Sequence, residues 1–177
     1  MPESREGDHK TTVSSLAICM FLKLTFSLLL LVTCSPYGKK ETPPPSLNEM
    51  EQQVVQLVNK YRRSKGLSPL RTDPAMQQEA ERHSLNMARG RIPLSHNGFE
   101  GRIRNVREKT GVKGRSGENV AEGYKTAREV VDAWIRSPGH RKHMLGAFDL
   151  TGVGIVRSRN GNLYFTQLFI AVKYNSK

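Results

Sequence analysis

The chain has 177 residues, room for one ordinary domain with extensions, and carries 28 Lys+Arg against 16 Asp+Glu, a formal net charge of +12. Basic and acidic residues balance within the first 34 positions, so the excess belongs to the body and favours acidic partners such as anionic lipid, wall polymers or nucleic acid. Nucleic acid is the disfavoured one: no RRM-like aromatic pattern, zinc-finger spacing or continuous basic helix accompanies the charge, and the local runs at 60–65 and 102–115 read as solvated basic surface.

Residues 1–15 are polar, and 16–33 turn apolar around Lys23. Read from Met20, MFLKLTFSLLLLVTCS has the order of an export signal: a lysine, an apolar run and then small residues. Met20 is then the natural initiator. Leu31-Val32-Thr33-Cys34 is similar to a bacterial lipobox, whose cysteine becomes the lipid-modified first residue, although Thr33 departs from the usual Gly, Ala or Ser. Cleavage without lipid and a retained apolar anchor compete with that reading. A retained anchor would carry Lys23 near its centre, at about 2.5–3.5 kcal/mol. All three place the body outside the cytoplasm, in a bacterial envelope or secreted, with lipid on Cys34 or the apolar leader as the route to a membrane. Residues 35–45, SPYGKKETPPP, form a stiff spacer. Both cysteines, Cys19 and Cys34, lie in the leader, so the body has no thiol, disulfide or cysteine metal site. It must hold together through its core, which about 130 residues can supply.

In the body, Ser46-x-x-Glu49 is a capping box, and Met50, Val54, Leu57, Val58 and Tyr61 follow at helical spacing up to Gly66. Asp73-Pro74 caps and starts a second helix carrying Met76, Ala80, His83 and Met87 on one face and stopping near Gly90. On that face His83 reads as a packed, hydrogen-bonded histidine. Phe99, Ile103 and Val106 mark a third, short helix, and Glu118 to Ala121 a brief strand. Thr126-x-x-Glu129 is another box, opening a helix with Val130, Val131, Trp134 and Ile135; Trp134 reads as core. Ser137-Pro138 caps a last helical turn through Leu145. Alternating apolar positions then flank Asn160-Gly161, a strong hairpin signal. Helices first and an antiparallel hairpin last argue for an α+β domain.

Two histidines, His96 and His140, sit beside turn residues, where imidazoles are available to zinc or copper. Glu118 and Glu129 are the accompanying acids. Two imidazoles and one carboxylate would leave an open metal position for water, with the second glutamate as base or orienting group. Structural readings stand beside this one. Glu129 can return to the Thr126 amide of its own box, Glu118 can pair with an arginine, and His140 can bond backbone as a turn histidine. There is no H-E-x-x-H, no G-x-S-x-G elbow and no body cysteine to act as nucleophile.

The motif order is specific. Leu67-x-x-Leu70-x-x-Asp73-Pro74, Ala80-x-x-His83-Ser84-x-x-Met87-Ala88 and Ser95-His96 are followed by Gly117-Glu118-Asn119-Val120-Ala121 and Ala133-Trp134-x-x-Ser137-Pro138-Gly139-His140-Arg141. Gly152-Val153-Gly154 and Tyr164-x-Thr166-Gln167-x-Phe169 close the series. Together they resemble a CAP (SCP-like) domain of the bacterial, disulfide-free type, over residues 46–174. The resemblance implies an α-β-α sandwich with a small, mainly antiparallel sheet between helices. It also implies an open cleft lined by His96, Glu118, Glu129 and His140. Some members hold zinc or another divalent ion there, which makes His96 and His140 the candidate metal ligands. His143 stands where Asn commonly follows H-R and could add a cleft ligand. Leu150 stands where an acid often precedes G-V-G, removing a polar contact. The expected function is a non-enzymatic extracytoplasmic module binding a divalent ion or a lipid or anionic envelope ligand. The alternatives are a metal-dependent hydrolase using the same cleft, with Glu118 or Glu129 as base, and a purely structural envelope protein.

Overall fold

The computed structural model describes residues 44–173. The leader, Cys34 and most of the spacer lie outside them, as does residue 174; residues 44 and 45 of the spacer are exposed and without regular structure. Among the described residues no helix is long and apolar enough to cross a membrane. Helix α1 (Leu47–Arg63) leads to the short strand β1 (Arg71–Thr72), then α2 (Pro74–Ala88), α3 (Phe99–Thr110) and strand β2 (Ser116–Glu122). Helices α4 (Ala127–Arg136) and α5 (Pro138–Met144) precede strands β3 (Leu150–Arg157) and β4 (Leu163–Ile170). The sheet order is β1-β3-β4-β2, parallel only between β1 and β3.

Strand alternation sorts the core onto two faces. Val153 and Ile155 of β3 with Phe165 and Phe169 of β4 meet Met50, Val54 and Val58 of α1 and Val130, Val131 and Trp134 of α4. Leu150, Leu168 and Ile170 point the other way, onto Met76 and Ala80 of α2 and Ile103 and Val106 of α3. Burial of each large apolar side chain contributes about 1.5–3 kcal/mol. The result is the α-β-α sandwich expected, with His83 and Trp134 buried as read. Leu150 is apolar because it faces the α2–α3 core.

The G-V-G motif has a steric cause. A Cβ on Gly152 would fall 2.3 Å from the Gln77 amide nitrogen, and one on Gly154 would fall 2.1 Å from that of Glu81. Backbone of α2 therefore lies directly on β3, a distance only glycine permits.

Several local readings need correction. Ser46 and Glu49 close a full capping box, but Thr126 accepts only the Glu129 amide, and the Glu129 carboxylate reaches Lys125 N–H at 2.8 Å instead of Thr126. Ser137 is the N-cap of α5 without a side-chain bond. Asn160-Gly161 sits in a five-residue loop, because Arg157 pairs with Leu163; Ser158 N–H closes it on the Asn162 carbonyl. The basic runs are not uniformly solvated. Arg62 is buried and donates to the carbonyls of Ser68, Met144, Gly146 and Phe148, fastening the end of α1 to the segment after α5. Arg102 is buried too, at the candidate site.

Candidate functional site

The site is built on β2, which pairs with β4 on one side and is otherwise the edge of the sheet. Its alternation sends Glu118 toward α3 and Asn119 toward α5. Gly117, between the sheet and α5, makes room for an imidazole, since a Cβ there would stand 2.9 Å from His143 Cδ2.

Glu118 is almost wholly buried, and both of its oxygens are engaged. Arg102 Nε donates to Oε2 at 2.8 Å and Nη2 to Oε1 at 2.8 Å, a two-pronged guanidinium–carboxylate pair. His96 Nδ1 lies 2.9 Å from Oε1. Since a carboxylate only accepts, that nitrogen carries the proton, and Nε2 is the ring nitrogen without a partner among the described residues. The His96 side chain is 55% exposed, against 2% for Glu118. Arg102 also donates through Nη1 to the Asn97 carbonyl, tying the loop before α3 to the pair.

On the α5 side, Asn119 Nδ2 donates to the His140 carbonyl at 3.2 Å, so its Oδ1 faces His143 Nδ1 at 2.9 Å as acceptor. His143 therefore donates through Nδ1 and also presents Nε2. The His140 ring is tilted against Trp134 at 6.4 Å between centroids, and His143 against Phe169 at 6.3 Å. Burial lowers the pKa of His140, and the neighbouring His96 and His143 charges add to the effect. Burial also lowers that of His143. His83, behind the site, is lowered by burial and then by Arg102, and its Nε2–H donates to the Ser95 carbonyl at 2.9 Å. The site is a cluster of imidazoles over a compensated buried ion pair, with burial holding His140 and His143 toward the neutral form.

His96 and Glu118 are thus brought into contact, and His140 and His143 within electrostatic reach of them. Glu129 is exposed in the first turn of α4, and its carboxylate accepts from the Lys125 amide. Two members were missed, Arg102 and Asn119. The signal for Arg102 was present, since position 102 lies three after Phe99 and four before Val106, on the apolar face of α3. An arginine there needs a buried partner.

Among the described residues no group of three or more His, Cys, Asp or Glu side chains could hold a metal ion. Glu118, the natural carboxylate ligand, accepts from Arg102 through both oxygens and from His96 through one, so an ion there would compete with a formed pair.

A family model for the cysteine-rich secretory proteins (CAP) matches residues 55–169. The uncharacterized protein YkwD of Bacillus subtilis (strain 168) is 36% identical over 129 residues, covering 72% of this chain and 49% of YkwD. The chain thus spans about half the length of that relative. An outer surface protein of Borrelia burgdorferi has the same fold at TM-score 0.63 and 19% identity, with 73% of this chain and 97% of that one covered. An extracellular SCP-domain protein of Bacillus anthracis (strain Ames) aligns at TM-score 0.57 and 26% identity, over 73% of this chain and 45% of its own.

Proposed function

The chain belongs to the cysteine-rich secretory protein (CAP) family, and from that premise we propose that it works outside the cytoplasm as a non-enzymatic binding module. Its envelope-derived ligand is held beside β2 by imidazoles and not by Glu118. The extracellular SCP-domain relative of B. anthracis and the export pattern of residues 20–34 support the location. Lipid on Cys34 is the proposed tether, with residues 35–45 as the spacer.

One observation carries the reading of the cleft: both Glu118 oxygens are held by Arg102 and His96. A general base needs a free lone pair directed at the proton it takes, and a metal ligand needs one directed at the ion. Glu118 has three of its roughly four lone pairs engaged and is buried, which makes it a poorly placed base for a metal-dependent hydrolase built on this acid. The Nε2 atoms of His96 and His143 are the free acceptors, and they suit hydroxyl or amide donors of a bound molecule.

The test is native mass spectrometry with elemental analysis on protein purified without chelator or affinity histidines, beside a His96→Ala/His143→Ala variant. The expected result is a ligand mass retained by the wild type and lost from the variant, without stoichiometric zinc. Stoichiometric zinc with Glu118-dependent turnover of an ester or amide would overturn the reading. Mass analysis of the N-terminal fragment tests the tether, with a diacylglyceryl adduct on Cys34 expected.

A further inference from the structure

A concave feature lies between the C-terminal end of α2 and the β3–β4 hairpin, and none of the residues of the His96–Glu118 site lines it. Its volume is about 910 Å³, and Arg89, Arg91, Arg157 and Arg159 line it together with Asn160 and Tyr164. All four arginines are exposed. Among the described residues none of the four makes a salt bridge, whereas Arg82 and Arg102, nearby in the fold, each have a glutamate. Arg91 donates to Asn86 Oδ1 and Arg157 to the Gly161 carbonyl, while the side chains of Arg89 and Arg159 have no hydrogen bond among the described residues. The carboxylate facing this region, Glu122, stands opposite Tyr164 across the β2–β4 pair.

We propose that this trench binds a linear phosphodiester polymer lacking nucleobases, of the polyol-phosphate type, laid between the arginines of α2 and those of the hairpin. The proposal rests on the extracytoplasmic location of the body and on no property of the cleft. Four like charges without a salt bridge among the described residues, in one concavity, raise the local concentration of anions. Every cation in the lining is an arginine, whose planar fork takes two oxygens of one anionic group at once. Arginines from two separate elements facing one trench can follow charge carried along a backbone. A flat membrane surface fits worse: the site is concave, and Leu94, the large exposed apolar residue among those described, does not line it. Nucleic acid fits worse as well, because base-independent binding of single strands uses several aromatic platforms and only Tyr164 lines this wall.

The test holds the full-length chain in phosphatidylcholine nanodiscs. Affinity is measured for poly(glycerol phosphate), inorganic polyphosphate, oligothymidine, polyglutamate and phosphatidylglycerol vesicles. The variant Arg89→Ser/Arg159→Ser removes the two side chains without hydrogen bonds and preserves the fold; the full variant adds Arg91→Ser and Arg157→Ser. A control of equal charge loss, Lys60→Ser/Arg63→Ser/Lys125→Ser/Arg128→Ser, lies on α1 and around the start of α4. The expected result is binding of both phosphate polymers with a log K against log salt slope of about −3. The slope falls by about half in the double variant, and affinity falls at least about tenfold in the full one, while the control changes little. Equal weakening in the control would reduce the site to net charge and overturn the proposal. Tighter binding of oligothymidine, polyglutamate or the vesicles than of poly(glycerol phosphate) would overturn the ligand class.

Discussion

The cleft beside β2 and the trench beside the hairpin both contain arginine, but they use it in opposite ways. In the cleft, Arg102 is buried and meets Glu118 through two hydrogen bonds, so its charge is satisfied within the fold. In the trench, Arg89, Arg91, Arg157 and Arg159 are exposed and, among the described residues, without a salt bridge. Compensated charge holds a wall in shape, and uncompensated charge is directed outward. Substitution in the first region should therefore be felt in stability and in the second in binding.

The largest effect expected is that of Arg102→Met. It leaves Glu118 buried without its cation and costs about 3–5 kcal/mol in urea denaturation. The paired variant Arg102→Met/Glu118→Leu removes both charges and costs less than the single change. If the single variant melts like the wild type, the pair is not what fixes the wall.

A second buried acid sharpens the contrast. Among the described residues Glu51 has no cation; it accepts from the Ile155 amide at 2.8 Å and from Gln77 Nε2 at 3.0 Å. Burial pushes its pKa up to about 7, with the Glu81 charge adding to the effect. The folded pKa lies above the unfolded value of 4.5, so the stabilisation is fully present below the latter and is lost as pH rises through about 7. Thermal melts of the wild type between those limits should decline by about 1–3 kcal/mol, and Glu51→Gln should flatten that decline.

The imidazoles act at the other end of the scale. His143 has a lowered pKa in the fold because burial disfavours its charged form. Its stabilisation is present above the unfolded value of 6.5 and is lost as pH falls through the folded pKa. His143→Asn should reduce the acid-side loss of stability by about 1 kcal/mol or less, read as the change in denaturation midpoint below pH 6.5. Smallest of all, Arg89→Ser/Arg159→Ser should leave stability within about 0.5 kcal/mol in the same measurement. A large loss there would mean the trench arginines are structural after all.

The fold was legible because its local signals were consistent with one another. The Ser46 box, Asp73-Pro74, the spacing of Val130, Val131 and Trp134, and the alternation through β3 and β4 each announce an element that the structure contains. The site was half legible. His96 and Glu118 meet as the motif resemblance implied, but Glu129 belongs to its own helix cap, where a carboxylate three residues after Thr126 is drawn to the freed amide at Lys125. Arg102 went unread inside a basic run, although its spacing from Phe99 and Val106 puts it on the apolar side of α3. The trench was hidden for a different reason: Arg89 and Arg91 are separated in sequence from Arg157 and Arg159, and only the packing of α2 on the hairpin strands brings them to one wall.

The claim that the buried acid of the cleft belongs to Arg102 and not to a metal is tested most directly by zinc calorimetry. The wild-type and Glu118→Gln chains are titrated side by side, free of affinity histidines. The account predicts superimposable isotherms, with any weak uptake owing to the exposed imidazoles. A tight one-to-one zinc site in the wild type that vanishes in Glu118→Gln would contradict it.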